Sequence, residues 1–597
     1  MQSIAQDISS RLLPRVIQPS QYVGLEINAR RPDFASADVR VAMAFPDSYS
    51  VGISHLGSQI LYHVINDLPE AACDRTYCPA PDAQAVMREQ QIPLFGWESR
   101  APLGQFDVVG FALGYELCVT NVLTMLDLAG IPIAAEDRHA GHPIIVGGDA
   151  LADTPEPLAD FIDVFLPGDG EEPLSALVRA VRAGKDKLSR RDLLLEIART
   201  VPSAYVPRFY QPSYNEDGTL AALAPADEDL PVSIPRACLD PLSNFAPPAA
   251  PLVPLSESVH DRIVVEVMRG CPNACRFCQA GATRLPVRTR SVEQIMTAIE
   301  TGLAATGYRD VSLLSLSTGD YPLLPDLLEK LNAQLAPRHV SVSLPSLRVD
   351  SQLKKLPALT HAVRSTGMTI AAEAGSQRLR DAIGKNISEP DMIEAVRSAW
   401  RAGQNSVKVY FMAGLPGETL GDIDEIFHLC RRLSWSRKEI DNQKGSITAS
   451  VSWFVPKPHT PLQWAPMRDA DYFWQVRTRL IDLCRRTPVN VKFHFIERSL
   501  LEGVLARGDR RVGRAIRAAW ENGATMDSWD EHFDYHRWVD AFQQTGVDAA
   551  FYAHRQIQLD ENLPWSHIRC FRKDRYLKDQ WQQTQAILDA PPRNPEQ

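Results

Sequence analysis

Short apolar runs alternate with longer amphipathic ones along most of the chain. Val39–Phe45 (VRVAMAF) is apolar and partly β-branched and ends in Pro46-Asp47, which predicts a buried strand closed by a turn. Over residues 53–68, Leu56, Ile60, Leu61, Val64 and Ile65 share one helical stripe. Ala71–Tyr77 and residues 107–113, 143–147 and 162–166 predict further strands, with helices over 82–90 and 119–129. Buried strands alternating with helices indicate a doubly wound, Rossmann-like parallel sheet over residues 39–205, behind an N-terminal extension of residues 1–38. Ligands on such sheets bind beyond the carboxyl ends of the strands, and the loop starting at Asp47 lies at one of them.

The alternation resumes further on. Runs at 263–268, 311–316, 340–344, 368–372, 407–412 and 447–454 predict six strands, separated by helices at 292–305, 324–335, 390–402 and 420–433. This is the pattern of a partial (β/α)6 barrel over residues 261–490, with its site at the carboxyl ends of the strands. From about Lys492 the pattern is mainly helical and aromatic, which defines a C-terminal region of residues 491–597. Between Pro207 and Pro254 there are 10 prolines in 48 residues, out of 44 in the chain, so 206–260 reads as a linker or as an irregular packed crossover.

Composition narrows the class. At 597 residues the chain exceeds a single core, and 45% hydrophobic with 23% charged residues is ordinary for a folded protein. Lys+Arg 63 against Asp+Glu 73 gives a net charge of −10, without global attraction to nucleic acid or anionic lipid. No apolar run has the length of a membrane span and the first residues lack a signal-peptide core, so the expectation is a cytoplasmic protein. Ten cysteines in so long a chain do not make a disulfide scaffold.

Three of those cysteines carry the chemistry. Directly after the first barrel strand, Arg269-Gly270-Cys271-Pro272-Asn273-Ala274-Cys275-Arg276-Phe277-Cys278 places Cys271, Cys275 and Cys278 in a C-x3-C-x2-C array. Three thiolates on one loop can hold three irons of a [4Fe–4S] cube and leave the fourth open. The alternatives are a structural zinc site, for which no fourth Cys or His stands at usual spacing, or cysteines that are merely close in sequence.

With Phe277 before the last cysteine, this array resembles the signature of the radical S-adenosylmethionine (SAM) superfamily. The resemblance implies that the open iron chelates SAM, and that one electron from a reductant such as flavodoxin or ferredoxin cleaves it to methionine and a 5′-deoxyadenosyl radical. It further implies SAM contacts at strand ends: Gly319 and Asp320 after the second strand, Ser346 and Arg348 after the third, Glu373 at the end of the fourth, and Gly414 and Gly417 after the fifth. Taken alone, the glycines also read as turn residues and Glu418 as a helix-start acid.

The first unit resembles the cobalamin-binding domain that precedes many radical SAM barrels. Where that domain has Asp-x-His-x-x-Gly, this chain has Asp47-Ser48-Tyr49-Ser50-Val51-Gly52, so Tyr49 stands at the position of the lower cobalt ligand. Ala112 stands at the usual serine, and Gly147-Gly148 match the glycine pair near the nucleotide tail. The resemblance therefore implies cobalamin in a His-off state; the competing reading is a Rossmann-like unit that has lost its cofactor. His55 and His63 on the following helix read as packed or solvent-facing.

Nearly the whole chain resembles a bacterial family of cobalamin-binding-domain radical SAM proteins of undefined substrate. Ser54-His55-Leu56-Gly57, Tyr115-Glu116-Leu117, Cys278-Gln279-Ala280-Gly281, Pro286-Val287-Arg288, His532-Phe533-Asp534 and Leu563-Pro564-Trp565 carry that likeness, while Pro272-Asn273-Ala274 and Ala112 depart from it. The seven other cysteines form no second close triad, which disfavours a two-cluster methylthiotransferase. Arg507, Arg510, Arg511, Arg514 and Arg517 read either as an RNA-phosphate surface or as a solvated helix face. His494, Glu497, His532, Asp534 and Trp565 are further pocket candidates. The expected activity is radical modification of an unactivated carbon, foremost methylation. The alternatives are cobalamin-independent modification of RNA or a ribosomal protein, and a non-catalytic iron–sulfur sensor.

Overall fold

The computed structural model describes residues 3–344 and 368–590. The N-terminal unit is a five-stranded parallel sheet in the order β2-β1-β3-β4-β5, with β1 at Val39–Phe45, β2 at Ala71–Tyr77, β3 at Val108–Ala112, β4 at Ile144–Gly148 and β5 at Val164–Phe165. All five strands are almost wholly buried, as expected of a parallel sheet covered on both faces by helices. The order reverses between β1 and β3, and in such sheets a ligand crevice opens at that point. The N-terminal extension packs on this unit through buried Ile8, Leu12 and Tyr22.

The proline-rich segment is built. It contains an antiparallel hairpin, β6 (Tyr210–Tyr214) with β7 (Leu220–Pro225), and a short strand, β8 (Ile234–Pro235). Backbone groups at Gly168 and Ala237 form a bridge between this segment and the loop that follows β5.

The expected barrel strands form two parallel sheets. One holds β9 (Ile263–Glu266), β12 (Asp310–Leu314) and β13 (Ser341–Ser343) in the order β13-β12-β9. The other holds β14 (Met368–Glu373), β15 (Ser406–Ala413), β16 (Ser446–Trp453) and β17 (Val489–Phe493). The parallel β17 was not among the six strands read from the sequence; its alternating buried and open positions suit a sheet edge. The run at 263–268 also proves to be two pieces, because β10 (Met268–Arg269) turns aside to pair antiparallel with β11 (Arg288–Thr289). Helix ends follow local chemistry: Ser291 and Gln294 close a capping box on Val292–Thr306, and Gly307, at φ +73°, ends it.

The C-terminal region is mainly helical, and its strand β18 (Ile568–Arg569) pairs with β8. It packs on both α/β units. Leu501, Val504, Ile516 and Trp538 join the core of the first unit, while Trp565 and Trp581 pack with Phe454 and Trp464 of the second. Among the described residues, no helix is long and apolar enough to cross a membrane.

A buried ionic cluster joins the two units. Asp169 pairs with Arg288 at 2.5 Å and with Arg269 at 3.2 Å, and Arg269 also pairs with Glu171 at 2.9 Å and Glu266 at 3.0 Å. Burial opposes ionisation of Asp169, but Arg269 and Arg288 outweigh it and hold its carboxyl below the usual aspartate range. Removing one member of such a cluster strands the others without water. Asp169→Ala is therefore expected to lower stability by about 3–5 kcal/mol, read by denaturant unfolding. An unchanged midpoint would show that the cluster is solvated.

Candidate functional site

The cysteine loop is pinched at its base by the β10–β11 ladder, which pairs Met268 with Thr289 and Arg269 with Arg288. Gly270 begins the loop at φ +90°, where a Cβ would stand 2.7 Å from the Arg284 carbonyl oxygen and 2.8 Å from that of Pro286, so only glycine fits. On the far side, the Arg276 guanidinium donates to the Ala382 carbonyl at 2.8 Å and to Gln580 and Gln583 at 3.0 Å, bracing the loop against the C-terminal helix Asp574–Asp589. Cys271, Cys275 and Cys278 form no disulfide and are partly exposed. The Gly281 N–H donates to Cys278 Sγ at 3.3 Å and Asn273 Nδ2 to Cys271 Sγ at 3.4 Å. Burial pushes the Cys278 thiol up; the Gly281 N–H opposes this, and nearby Cys275, Cys271 and Glu373 reinforce it.

The expected SAM contacts fall in three places. Gly319 and Asp320 lie in the turn Thr318–Asp320, tied to the cysteine loop by an Asn273 Nδ2 donation to Asp320 Oδ2 at 2.8 Å. Glu373 ends β14 at φ +67° and pairs with Lys385 at 3.2 Å. Gly414 and Gly417, at φ +94° and +67°, follow β15 and line a separate cleft of about 530 Å³ with Arg468, His554 and Trp581. Ser346 and Arg348 lie outside the described residues.

A cavity of about 430 Å³ opens between the two α/β units. Its floor is the carboxyl edge of the first sheet: Met43 of β1, Gly110 and Ala112 of β3, Val146 and Gly148 of β4. Its opposite wall is Glu266, Met268, Arg269 and Gly270 with the end of β12, so it reaches the residues directly before Cys271. Ala112 and Gly148 are register partners, so at this part of the floor the only side-chain group is a methyl.

The motif residues divide around this cavity. Ala112 and Gly148 line it. Gly147 is packed so that a Cβ would meet Leu113 at 2.8 Å, and at Gly52 a Cβ would meet the Tyr77 ring at 2.4 Å. Tyr49 is buried away from the lining, its hydroxyl donating to Glu26 Oε1 at 2.9 Å. Asp47 accepts from Trp529 Nε1 at 2.8 Å, from Ser528 at 3.1 Å and from the Tyr115 hydroxyl, anchoring the C-terminal region.

His55, read from sequence as packed or solvent-facing, instead lines the cavity. Its Nδ1 meets Ser58, and its Nε2 lies 3.5 Å from Asp149, which pairs with Arg284 at 2.5 Å. Burial pushes its imidazole below the usual histidine range, and Arg284 adds to this against the pull of Asp149. Asp149 has φ +70°, a strained position for a residue with a side chain. Neither Asp149 nor Arg284 was singled out in the sequence, since each gains meaning only from a partner on another element.

The basic stretch is largely internal. Arg507 is buried and donates to the Ala465, Ala553 and Arg555 carbonyls; Arg510 pairs with Glu156; Arg511 pairs with Asp509 and covers the Tyr214 ring. Only Arg514 and Arg517 are exposed, and Arg517 pairs with Glu521. Both readings of the stretch, phosphate surface and solvated face, thus give way to structural roles for three of its five arginines. Of the tail candidates, Trp565 is buried and donates to Gln463 at 2.8 Å, Asp534 caps the helix Tyr535–Thr545, and neither they nor His494, Glu497 or His532 line the cavity.

A family model described as radical SAM proteins, N-terminal, matches residues 57–207, and one described as the radical SAM superfamily matches 265–430, together just over half of the chain. The chain belongs to the radical SAM superfamily. Uncharacterized protein MJ0966 of Methanocaldococcus jannaschii is 24% identical over 481 residues, 80% of this chain and 90% of that one. The ribosomal protein uS12 methylthiotransferase RimO of Pelotomaculum thermopropionicum is 25% identical over 32% of this chain and 46% of its own length. Among solved structures, the radical SAM methyltransferase TsrM of Kitasatospora setae, with cobalamin and a [4Fe–4S] cluster bound, aligns over 72% of this chain and 79% of that one at 15% identity and TM-score 0.46.

The turn bearing Gly414 carries a titrating support. Buried Glu418 accepts from the Gly414 N–H and the Tyr472 hydroxyl, both at 2.6 Å, and burial raises its pKa to about 7 against those two bonds. A carboxyl with a raised folded pKa binds its proton more tightly folded than unfolded, so its contribution is full below the usual glutamate value and is lost as pH rises towards 7. Glu418→Gln should abolish a stability loss on the order of 3 kcal/mol between pH 4.5 and 7, read from urea midpoints across that range. Parallel pH profiles for both proteins would refute the assignment.

Proposed function

We propose that this radical SAM protein holds a [4Fe–4S] cluster on Cys271, Cys275 and Cys278 and a corrinoid in the cavity between its two α/β units, and modifies an unactivated carbon, foremost by methylation. The donor set fits the cluster. All three cysteines stand outside any disulfide on one braced loop, and Cys271 and Cys278 accept N–H···S bonds of the kind that stabilise ligand thiolates. Among the described residues no three His, Cys, Asp or Glu side chains converge as one metal ion would require; a cube takes one thiolate per iron and requires no such convergence. When bound, the cluster supplies one electron for reductive cleavage of SAM, and the corrinoid supplies a methyl carrier.

The single observation that carries the corrinoid reading is the place and floor of the cavity. It lies at the order reversal of the first sheet, over the small residues Ala112 and Gly148, and reaches Gly270 on the cluster side. Gly414 and Gly417, the SAM contacts expected after β15, line the separate cleft, where Glu418 accepts from the Gly414 N–H and fixes their turn. Around the cavity, His55, Asp149 and Arg284 form a polar corner in a mainly apolar lining that limits water near the reacting groups.

Anaerobic reconstitution with iron and sulfide should give reductant-dependent release of 5′-deoxyadenosine, with Cys271→Ala, Cys275→Ala and Cys278→Ala each lowering it at least 100-fold. Unchanged release in those variants would overturn the cluster assignment; no release from cluster-loaded, SAM-bound protein would favour a sensor. Gly148→Trp fills the cavity floor, where a Cβ meets nothing nearer than 3.9 Å, so the fold should persist. It is expected to weaken corrinoid uptake at least tenfold, by absorbance after gel filtration, with iron content unchanged. Wild-type protein that takes up no corrinoid would leave the cobalamin-independent reading.

A further inference from the structure

We propose that Asn273 is a positioning residue for the cluster, holding the Cys271 sulfur by an N–H···S bond and so raising the reduction potential. The proposal rests on the assignment of Cys271, Cys275 and Cys278 as cluster ligands. Asn273 is the middle residue of Pro272-Asn273-Ala274, where the chain departs from its family pattern. Its Nδ2 lies 3.4 Å from Cys271 Sγ and 2.8 Å from Asp320 Oδ2.

A carboxamide nitrogen carries two hydrogens, so one group serves both acceptors. Asp320 decides which way the amide faces. Its Oδ2 is fixed by the Ser317 hydroxyl at 2.5 Å, and a flipped Asn273 would set its own carbonyl oxygen against that carboxylate. The donor is thereby kept on the cysteine side. Ligation converts Cys271 to a thiolate and the contact to a charge-assisted hydrogen bond. Adding an electron to the cluster increases negative charge on its ligand sulfurs, so a donor there stabilises the reduced form more than the oxidised one. The Gly281 N–H acts in the same sense at Cys278, but it belongs to the backbone and survives substitution. Asn273 is thus a side chain through which this chain can adjust the potential, and it also ties the cluster loop to the turn expected to meet SAM.

The test uses full-length protein reconstituted with iron and sulfide, in wild-type, Asn273→Leu and Asn273→Asp forms. An EPR-monitored redox titration should place both variants at a more negative midpoint than wild type at equal iron content. Wild-type protein labelled with 15N-asparagine should show a 15N coupling to the reduced cluster that Asn273→Leu loses. Midpoints equal to wild type, or no 15N coupling in labelled wild type, would overturn the proposal. The labelled wild-type spectrum decides the matter if the variants fail to hold a cluster. A wild type that assembles no cluster would defeat the underlying assignment instead.

Discussion

Two arginines share one buried carboxylate at the join between the α/β units, and the geometry of the site depends on that sharing. Arg269 and Arg288 are register partners in the short ladder that closes the cysteine loop, and both pair with Asp169, which follows the last strand of the first sheet. The base of the loop is thus set by backbone pairing, while its placement against the first unit is set by charge. Neither alone would do so: a two-residue ladder is too short to orient a loop, and a carboxylate without both cations would resist burial. Glu171 and Glu266 complete the neutralisation of Arg269 and stand in the cavity wall, so the element that joins the units also shapes the space between them.

Local patterns and long-range pairs were not equally legible in the sequence. All five strands of the first sheet and the six expected barrel strands have counterparts, because buried parallel strands are short apolar runs whatever they bind. The edge strand β17 was missed since its open positions, such as Asn490 and Lys492, break the apolar run that marked the others. The proline-rich segment was ambiguous for a physical reason. Proline suits a hairpin at a sheet edge as well as a tether, and what decides between them is the distant pairing of β8 with β18. The C-x3-C-x2-C array was visible as spacing alone, whereas Asp149, Asp169 and Arg284 carry no local mark.

The departure from Asp-x-His-x-x-Gly takes on a different meaning in three dimensions. The aspartate and tyrosine of this segment are engaged in packing: Asp47 receives Trp529 and Ser528 from the C-terminal region, and Tyr49 pairs with Glu26 of the extension. The segment therefore fastens both flanking regions to the first sheet. A side chain in such a position is costly to change for reasons unrelated to any cofactor, because each partner left behind is a buried polar group.

The cavity chemistry moves to the next turn of chain. His55 begins the helix Leu56–Asn66, where its Nδ1 accepts from the Ser58 N–H as a capping group would, and this fixes the ring with Nε2 towards Asp149. Asp149 meets it from a positive-φ backbone, directly after the small residues of the β4 end, and Arg284 from the barrel side pairs with it there. Strain at Asp149 is tolerated because two partners on separate elements determine its position. The same cap that starts a helix in the first unit thereby sets an imidazole in the cavity, and an ion pair across the units completes the corner. That corner stands beside Ala112 and Gly148 in the lining, with an imidazole that burial holds below the usual histidine range.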